Sequence, residues 1–308
     1  MSNSPHHSTD NRPTFRTQYS YTGRAYRGNL HGHTTSSDGV LDAEAVVRMY
    51  KGLRYDFTAI TDHNHWEDRS HLSDSDFIVL NGVEISPASN RRHHVLSIGT
   101  DVDPGPADDI PAAIRKTTEL GGIPVVCHPM WSGIHTDLLT ALPAFPVLEI
   151  LNHGLWGGVG QDESSIWDEL LIRNRPIWGI SSDDSHVPGH FGKGWIDLWA
   201  DDFTVSGLKG AILRGSFYAS TGPTITEVQV TEREYRLVAP DSMVVAFIAD
   251  TGLVKKGIGN FRETVMECVY TLPEKDPPRY VRAIARTVDS KQAFTPPVFV
   301  DPRRYCRV

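Results

Sequence analysis

Residues 26–39 read Tyr26-Arg27-Gly28-Asn29-Leu30-His31-Gly32-His33-Thr34-Thr35-Ser36-Ser37-Asp38-Gly39. In an extended strand residues i and i+2 point to one face, so His31 and His33 bring two imidazoles to one point, with room left by the glycine between them. Asp38 follows on a Ser-Asp-Gly turn, from which its carboxylate can fold back toward the same place. The arrangement recurs along the chain. Ala59-Ile60-Thr61 runs into Asp62-His63, Val83 leads to Glu84, and His94 opens Val95–Ile98. Ile123–Val126 ends in Cys127-His128, and Ile177–Ile180 leads into Asp183-Asp184-Ser185-His186. An apolar run that ends in Glu84 buries a carboxylate, which costs several kcal/mol unless the charge is paired or bound to a cation.

Six histidines (His31, His33, His63, His94, His128, His186) and three carboxylates (Asp38, Glu84, Asp184) therefore stand at the ends of apolar runs. They exceed what one tetrahedral zinc needs, so two to three divalent ions are expected. Imidazoles and hard carboxylates without thiolate suit zinc, manganese or iron. Twelve of the 14 histidines lie between His31 and His190. Asp62 is expected to orient one of the ligating imidazoles.

The remaining composition narrows the class. With 308 residues, 39% hydrophobic and 22% charged, the chain can bury a core and is not of disordered or fibrous type. The longest apolar run, Met243–Ala249, is far short of the roughly 20 residues that cross a bilayer, so no membrane partner is expected. Residues 1–24 are polar, without a secretory pattern, and a cytoplasmic location follows. Three scattered cysteines argue against a disulfide scaffold or a thiolate zinc knuckle. Residues 223–308 carry 13 Lys+Arg against 11 Asp+Glu, so the net charge of −8 arises in residues 1–222 and disfavours tight binding of duplex nucleic acid.

From Arg27 to Thr221 short β-like runs alternate with helical ones at Asp42–Leu53, Asp109–Leu120 and Ser164–Arg173, the pattern of an α/β domain. Beyond Gly222 period-2 runs take over. The expected organisation is a disordered tail over 1–24, an α/β domain over 25–222 that holds the metal donors, and a small β-rich domain over 223–308. That last part either covers the barrel or forms the interface of a homo-oligomer.

The ordered set HGHTTSSDG, ITDHN, GVEI, HVLSIG, CHP and SDDSH resembles the PHP (polymerase and histidinol phosphatase) superfamily of metal-dependent hydrolases over about residues 26–222. The resemblance implies a distorted (β/α)7 barrel with a trinuclear metal centre. By motif position it implies His31, His33, Glu84 and Asp184 as ligands of a first ion. Glu84, His94 and His128 would hold a second, and Asp38, His63 and His186 a third. Asp183 takes a serine's place in the family motif and is expected to sit behind the ligands. The opening GRAYRGNLHGHT, the later RGSFYASTGPTIT and the β-rich tail look most like the CehA/McbA branch of carbamate hydrolases.

The expected function is hydrolysis of a small phosphomonoester or phosphodiester by a metal-bridging hydroxide, the substrate being a small phosphorylated molecule. Arg91, Arg92 and Lys193 are the candidates for clamping its anionic group, since guanidinium matches phosphate bidentately. His65 and His190 are the candidates for protonating the leaving group, and Trp131 and Trp156 for an apolar pocket. The alternatives are a carbamate, ester or amide hydrolase on the same centre, and a catalytically silent metal-binding module.

Overall fold

The computed structural model describes residues 12–22, 25–154, 161–258 and 266–301, so Trp156 and Cys306 lie outside the described residues. Among the described residues, six α-helices and most strands of a large mixed sheet lie in the first two thirds of the chain. Three helices begin where a side chain satisfies an otherwise orphaned amide. Asp42 caps Ala43–Gly52, Asp109 caps Ile110–Glu119, and Thr204 caps Val205–Arg214, which stops at Gly215 in the left-handed region.

The central ladder runs through strands Tyr26–Asn29, Phe57–Ile60, Ile78–Ile85, Val95–Ile98, Ile123–Val126, Val147–Asn152 and Trp178–Ser182. All neighbouring pairs are parallel except the two made by Val95–Ile98, which is antiparallel to both of its neighbours. Only residues 86–94 link it to Ile78–Ile85, too few for the crossover that a parallel neighbour needs. Its reversal places His94, which precedes the strand, at the end of the sheet where the neighbouring strands finish.

This arrangement corrects the expected (β/α)7 barrel. The two ends of the seven-strand path meet through one isolated parallel bridge, Gly32 to Ser185, where the His33 amide donates to the Ser185 carbonyl at 2.9 Å. Tyr26–Asn29 spends its other edge on the antiparallel strand Trp195–Leu198, so the ladder stays open. It continues through Phe217–Ser220, Gln292–Phe294, Tyr280–Arg286 and Val298–Asp301 to Thr14–Phe15. Strands from beyond residue 222 are thus hydrogen-bonded into the same sheet. Buried Arg282 adds a bidentate pair with Asp168 on helix Ser164–Ile172, at 2.7 and 2.6 Å.

A second sheet, in the order Glu267–Thr271, Glu234–Val238, Glu227–Val230 and Tyr19–Thr22, closes a core around Tyr235, Phe247 and Val281. Two strands therefore fall inside the span 1–24 expected to be a disordered tail. Thr14–Phe15 inserts fully buried Phe15 against the edge Val298–Asp301, and Tyr19–Thr22 completes the second sheet. Residues 1–11 and 23–24 lie outside the described residues. Among the described residues no helix is long and apolar enough to cross a membrane.

The approach to the His31-Gly32-His33 segment is set by a close contact. Gly28 faces Phe57 across the ladder, and a Cβ at Gly28 would fall 2.2 Å from the fully buried Phe57 ring. Gly28→Ala should therefore lower stability by about 1–3 kcal/mol in guanidinium unfolding. An unchanged midpoint would mean that the ring yields freely.

Candidate metal centre

Glu84 is the meeting point of the site. Its strand Ile78–Ile85 ends beneath the sheet's rim, and the carboxylate is buried. Five imidazoles surround it. Oε2 lies 3.1 Å from His31 Nε2, 3.2 Å from His33 Nε2 and 3.2 Å from His63 Nδ1. Oε1 lies 2.6 Å from His94 Nδ1 and 3.3 Å from His128 Nε2. Asp184 Oδ1 stands 3.2 Å from His31 Nε2 and 3.0 Å from His33 Nε2. Asp38 closes the outer side, 3.7 Å from His33, 3.6 Å from His63 and 3.4 Å from His186. All nine residues singled out in the sequence are gathered in one cluster. Their donor atoms form overlapping groups in which each atom lies within 4.8 Å of the others: His31, His33, Glu84 and Asp184; His63, Glu84 and His94; His33, Asp38, His63 and His186.

The outward nitrogen of most of these rings is anchored, which fixes the tautomer and leaves the inward nitrogen for the cluster. His31 Nδ1 is 2.9 Å from Glu149 Oε1, His128 Nδ1 is 3.0 Å from Ser132 Oγ, and His94 Nε2 donates to the Arg91 carbonyl at 3.1 Å. His186 Nδ1 donates to the Asp184 carbonyl at 2.9 Å. Nδ1 of His63 and Nδ1 of His94 face Glu84 without hydrogen-bond geometry, and both are buried. Nitrogens and carboxylate oxygens that converge without sharing a proton fit divalent ions held between them, so the donor set suits the implied metals.

The charges agree. Burial opposes ionisation of Glu84, but His94, His31 and His63 outweigh it and hold the carboxyl well below the usual range. Burial likewise opposes charge on His33, yet Asp184 and Glu84 push it up to about 9, and they raise His31 further. Without ions the rings would be held together by protons, which metal must displace. His128 and Asp184 have φ of 25° and 46°, left-handed values that cost a non-glycine residue energy.

Sequence reading passed over Glu149. Fully buried within Val147–Asn152, it accepts from His31 Nδ1, from the His128 amide and from Asn152 Nδ2, each at 2.9 Å, and from Ser182 Oγ. Asn152 passes the connection on to Asp184 Oδ2 at 3.1 Å. The signal was a lone charge in an otherwise apolar strand, Val147-Leu148-Glu149-Ile150-Leu151. Asp62 does something other than expected. It accepts from the Thr34 amide, Thr34 Oγ1, Ser37 Oγ and Arg69 Nη1, so it fastens the loop that carries Asp38 and orients no imidazole. Asp183 accepts the amides of Gly192, Lys193 and Gly194 at 2.7–2.8 Å and the Tyr50 hydroxyl at 3.1 Å. It thereby tethers the 192–194 loop behind Asp184.

The other candidates lie farther out. His190 is 6.1 Å from His186 between ring centroids, while His65 is half exposed beside Glu67 at 3.7 Å. Arg91 and Arg92 are exposed on the loop before His94, and the Lys193 side chain lines a separate cleft. Trp131 packs against His94 and His128, with centroids 5.6 and 5.0 Å away. Cys127 lies in the same cluster, but burial pushes its thiol well up and keeps it neutral.

Two expected outcomes follow from these contacts. Glu149→Gln should weaken metal affinity by about 10–100-fold in competition with a chromogenic chelator. Unaltered affinity would mean that the His31 anchor is dispensable. Glu163, at the start of helix Ser164–Ile172, accepts from the Met130 amide through Oε1 at 2.9 Å and leaves Oε2 buried without a partner. Burial pushes this carboxyl up to about 7. The folded state holds that proton more tightly than the unfolded chain does, so the site's stability is present near pH 4–5 and is lost as pH rises through about 7. Glu163→Gln, measured in chelator, should match the parent Tm at pH 5 and exceed it at pH 8. Equal Tm values at both would show that the carboxyl is not held protonated.

No family profile matches the chain. The 5'-3' exoribonuclease Rnm of Escherichia coli is 36% identical over 81 residues, 24% of this chain and 28% of Rnm, so the match spans little more than a quarter of that curated relative. Among solved structures, a two-domain protein from Bacteroides vulgatus containing a predicted PHP-like metal-dependent phosphoesterase superposes with a TM-score of 0.50 at 16% identity. That superposition covers 96% of this chain and 100% of that one. The lesion-specific endonuclease EndoQ of Pyrococcus furiosus gives a TM-score of 0.46 at 15% identity, over 62% of this chain and 56% of its own. The superposition on the two-domain protein from Bacteroides vulgatus shows a shared fold over nearly the full length, and along it this chain carries His31-Gly32-His33, Asp62-His63, Glu84, Cys127-His128 and Asp184-Ser185-His186 in order.

Proposed function

We propose that the chain is a metal-dependent phosphoesterase that hydrolyses a small phosphomonoester or phosphodiester at a trinuclear centre. The observation that carries this reading is the Glu84 carboxylate, with five imidazoles within 3.3 Å of its oxygens and Asp184 and Asp38 flanking them. His31, His33, Glu84 and Asp184 would hold one ion, Glu84, His94 and His128 a second, and Asp38, His63 and His186 a third. Bound zinc, manganese or iron would supply Lewis-acid activation of water and neutralise charge developing on phosphoryl oxygens.

The chain's own groups supply the rest. Glu149, Ser132 and the Arg91 carbonyl hold the rings of His31, His128 and His94 in one tautomer each, so the donors are in place before substrate arrives. Cleavage of the ester P–O bond transfers the water oxygen to phosphorus and leaves the alcohol in need of a proton. His190, next to His186 at the rim, is better placed than half-exposed His65 to deliver it. Arg91 and Arg92, exposed on the loop that ends at His94, would take the phosphoryl oxygens that face away from the ions. The α/β part over 25–222 is the catalytic unit in this reading, and the strands of 223–308 buttress it. Buried Cys127 and Cys268, both free thiols, suit a cytoplasmic enzyme.

Trp131 favours a second reading, hydrolysis of a carbamate, ester or amide in the manner of the CehA/McbA branch. Its indole, packed on His94 and His128 beside exposed Met130, offers an apolar wall for a non-phosphorylated leaving group. Metal analysis with paired assays on p-nitrophenyl phosphate and 1-naphthyl carbamate separates the two. Two to three ions per chain, chelator-sensitive phosphate release and loss of both in His31→Ala and Glu84→Ala are expected. Carbamate cleavage alone would transfer the chain to the second reading. Full activity in a metal-free Glu84→Ala variant would refute both.

A further inference from the structure

The donor groups of the cluster are not held alike. His31, His94 and His128 are almost without access to water and stand next to strands. Asp38 lies instead on the loop after His33 with its side chain 55% exposed, and its neighbours His63 and His186 are 27% and 24% exposed. Both nitrogens of His63 look into the cluster, Nδ1 toward Glu84 at 3.2 Å and Nε2 toward Asp38 at 3.6 Å. No nitrogen is left to anchor this ring from behind, so the backbone that carries it sets its position.

One buried side chain reaches both of these backbone segments. Arg69, just before the short turn Ser70–Leu72, is only 4% exposed. It donates through Nη1 to Asp62 Oδ2 at 2.7 Å, beside His63 in the chain, and through Nη2 to Ser36 Oγ at 3.0 Å, two residues before Asp38. Glu67 accepts from Nε at 3.2 Å and from Nη2 at 3.0 Å, which fixes the plane of the fork. The Arg69 amide donates to Asn81 Oδ1 at 2.9 Å and so ties the arginine to strand Ile78–Ile85, the strand that carries Glu84. Buried Asp62 needs a cation beside it, and a lysine could supply one. The bridge from Asp62 to Ser36 needs more, because only a planar guanidinium presents several donors in a rigid fork.

We propose that Arg69 is a positioning residue for the outermost ion: its guanidinium holds loop 34–38 and the Asp62-His63 corner at a fixed spacing, so that Asp38 and His63 meet His186 around one cation. Arg69 can have this role only at a trinuclear centre, so it rests on that reading. The inner rings draw their order from Glu149, Ser132 and the Arg91 carbonyl and should not respond to Arg69.

Calorimetric titration of the chelator-stripped full chain with manganese(II) tests it, the outer binding step being the one that Asp38→Ala removes. Arg69→Lys, which keeps a charge beside Asp62, should weaken that step about 10–100-fold and leave the other steps at the parent affinity. Added to Asp38→Ala, it should change nothing further, whereas a general loosening of the fold would weaken the remaining steps as well. Should Arg69→Lys fail to fold by circular dichroism, Ser36→Ala decides by the same readout. It spares the Asp62 pair and should weaken the outer step about threefold or more. An outer step unchanged in the variant that folds, all steps weakened alike, or a further loss on top of Asp38→Ala would overturn the role of Arg69 and leave the trinuclear reading standing. If Asp38→Ala removes no step, the trinuclear reading fails and the role of Arg69 falls with it.

Discussion

The carboxylate of Glu84 lies at the end of a buried strand with almost no access to water, and the rest of the site is built around the problem that this creates. An isolated carboxylate in such a place would take up a proton. Here His31, His33, His63, His94 and His128 crowd both oxygens, and the charge is retained. The same rings would repel one another if all were protonated, so neither the anion nor the imidazoles are comfortable without the other. Divalent ions resolve the conflict by replacing several mobile protons with a few fixed charges.

Bringing five rings to one carboxylate from four places in the chain is a task for topology. Four of them follow strands that finish at the rim, in the manner of parallel α/β sheets. The fifth, His94, precedes its strand, and only the reversed direction of Val95–Ile98 brings it to the same end. Behind the rings, Glu149 couples His31 to His128 and, through Asn152, to Asp184. A single buried side chain thus spans positions 31, 128 and 184, and misplacing it would disturb ligands of more than one ion in the proposed centre. The Asp62 and Asp183 carboxylates do comparable work on backbone, fastening the loops that present Asp38 and Asp184.

Much of this was legible before any coordinates, because apolar runs that end in histidine or carboxylate mark strand termini and donors at once. His31, His33, Glu84 and Asp184 could be read together for that reason. Glu149 was hidden by the same logic, since a charge inside an apolar run looks like the solvent side of a half-buried strand until both faces are known to be covered. Asp62 was misread because adjacency to His63 suggested contact, whereas successive residues of an extended segment point opposite ways. The N-terminal strands were missed because Tyr19-Ser20-Tyr21-Thr22 is polar in composition, and its value lies in the partners Glu227–Val230 far along the chain. The open ladder was unreadable for a related reason, as Trp195–Leu198 competes for the edge that a closed barrel would have used.

His128 and Asp184 carry backbone torsions that suit glycine, yet glycine could not supply a ring or a carboxylate there. Substituting glycine at either position would release strain of about 1–3 kcal/mol and forfeit a donor. The fold therefore has a stability ceiling set by its own chemistry. Selection for thermal resistance alone would push these two positions toward a tighter, inert protein, and their retention as histidine and aspartate measures what the chain gives up in robustness to keep its cluster assembled.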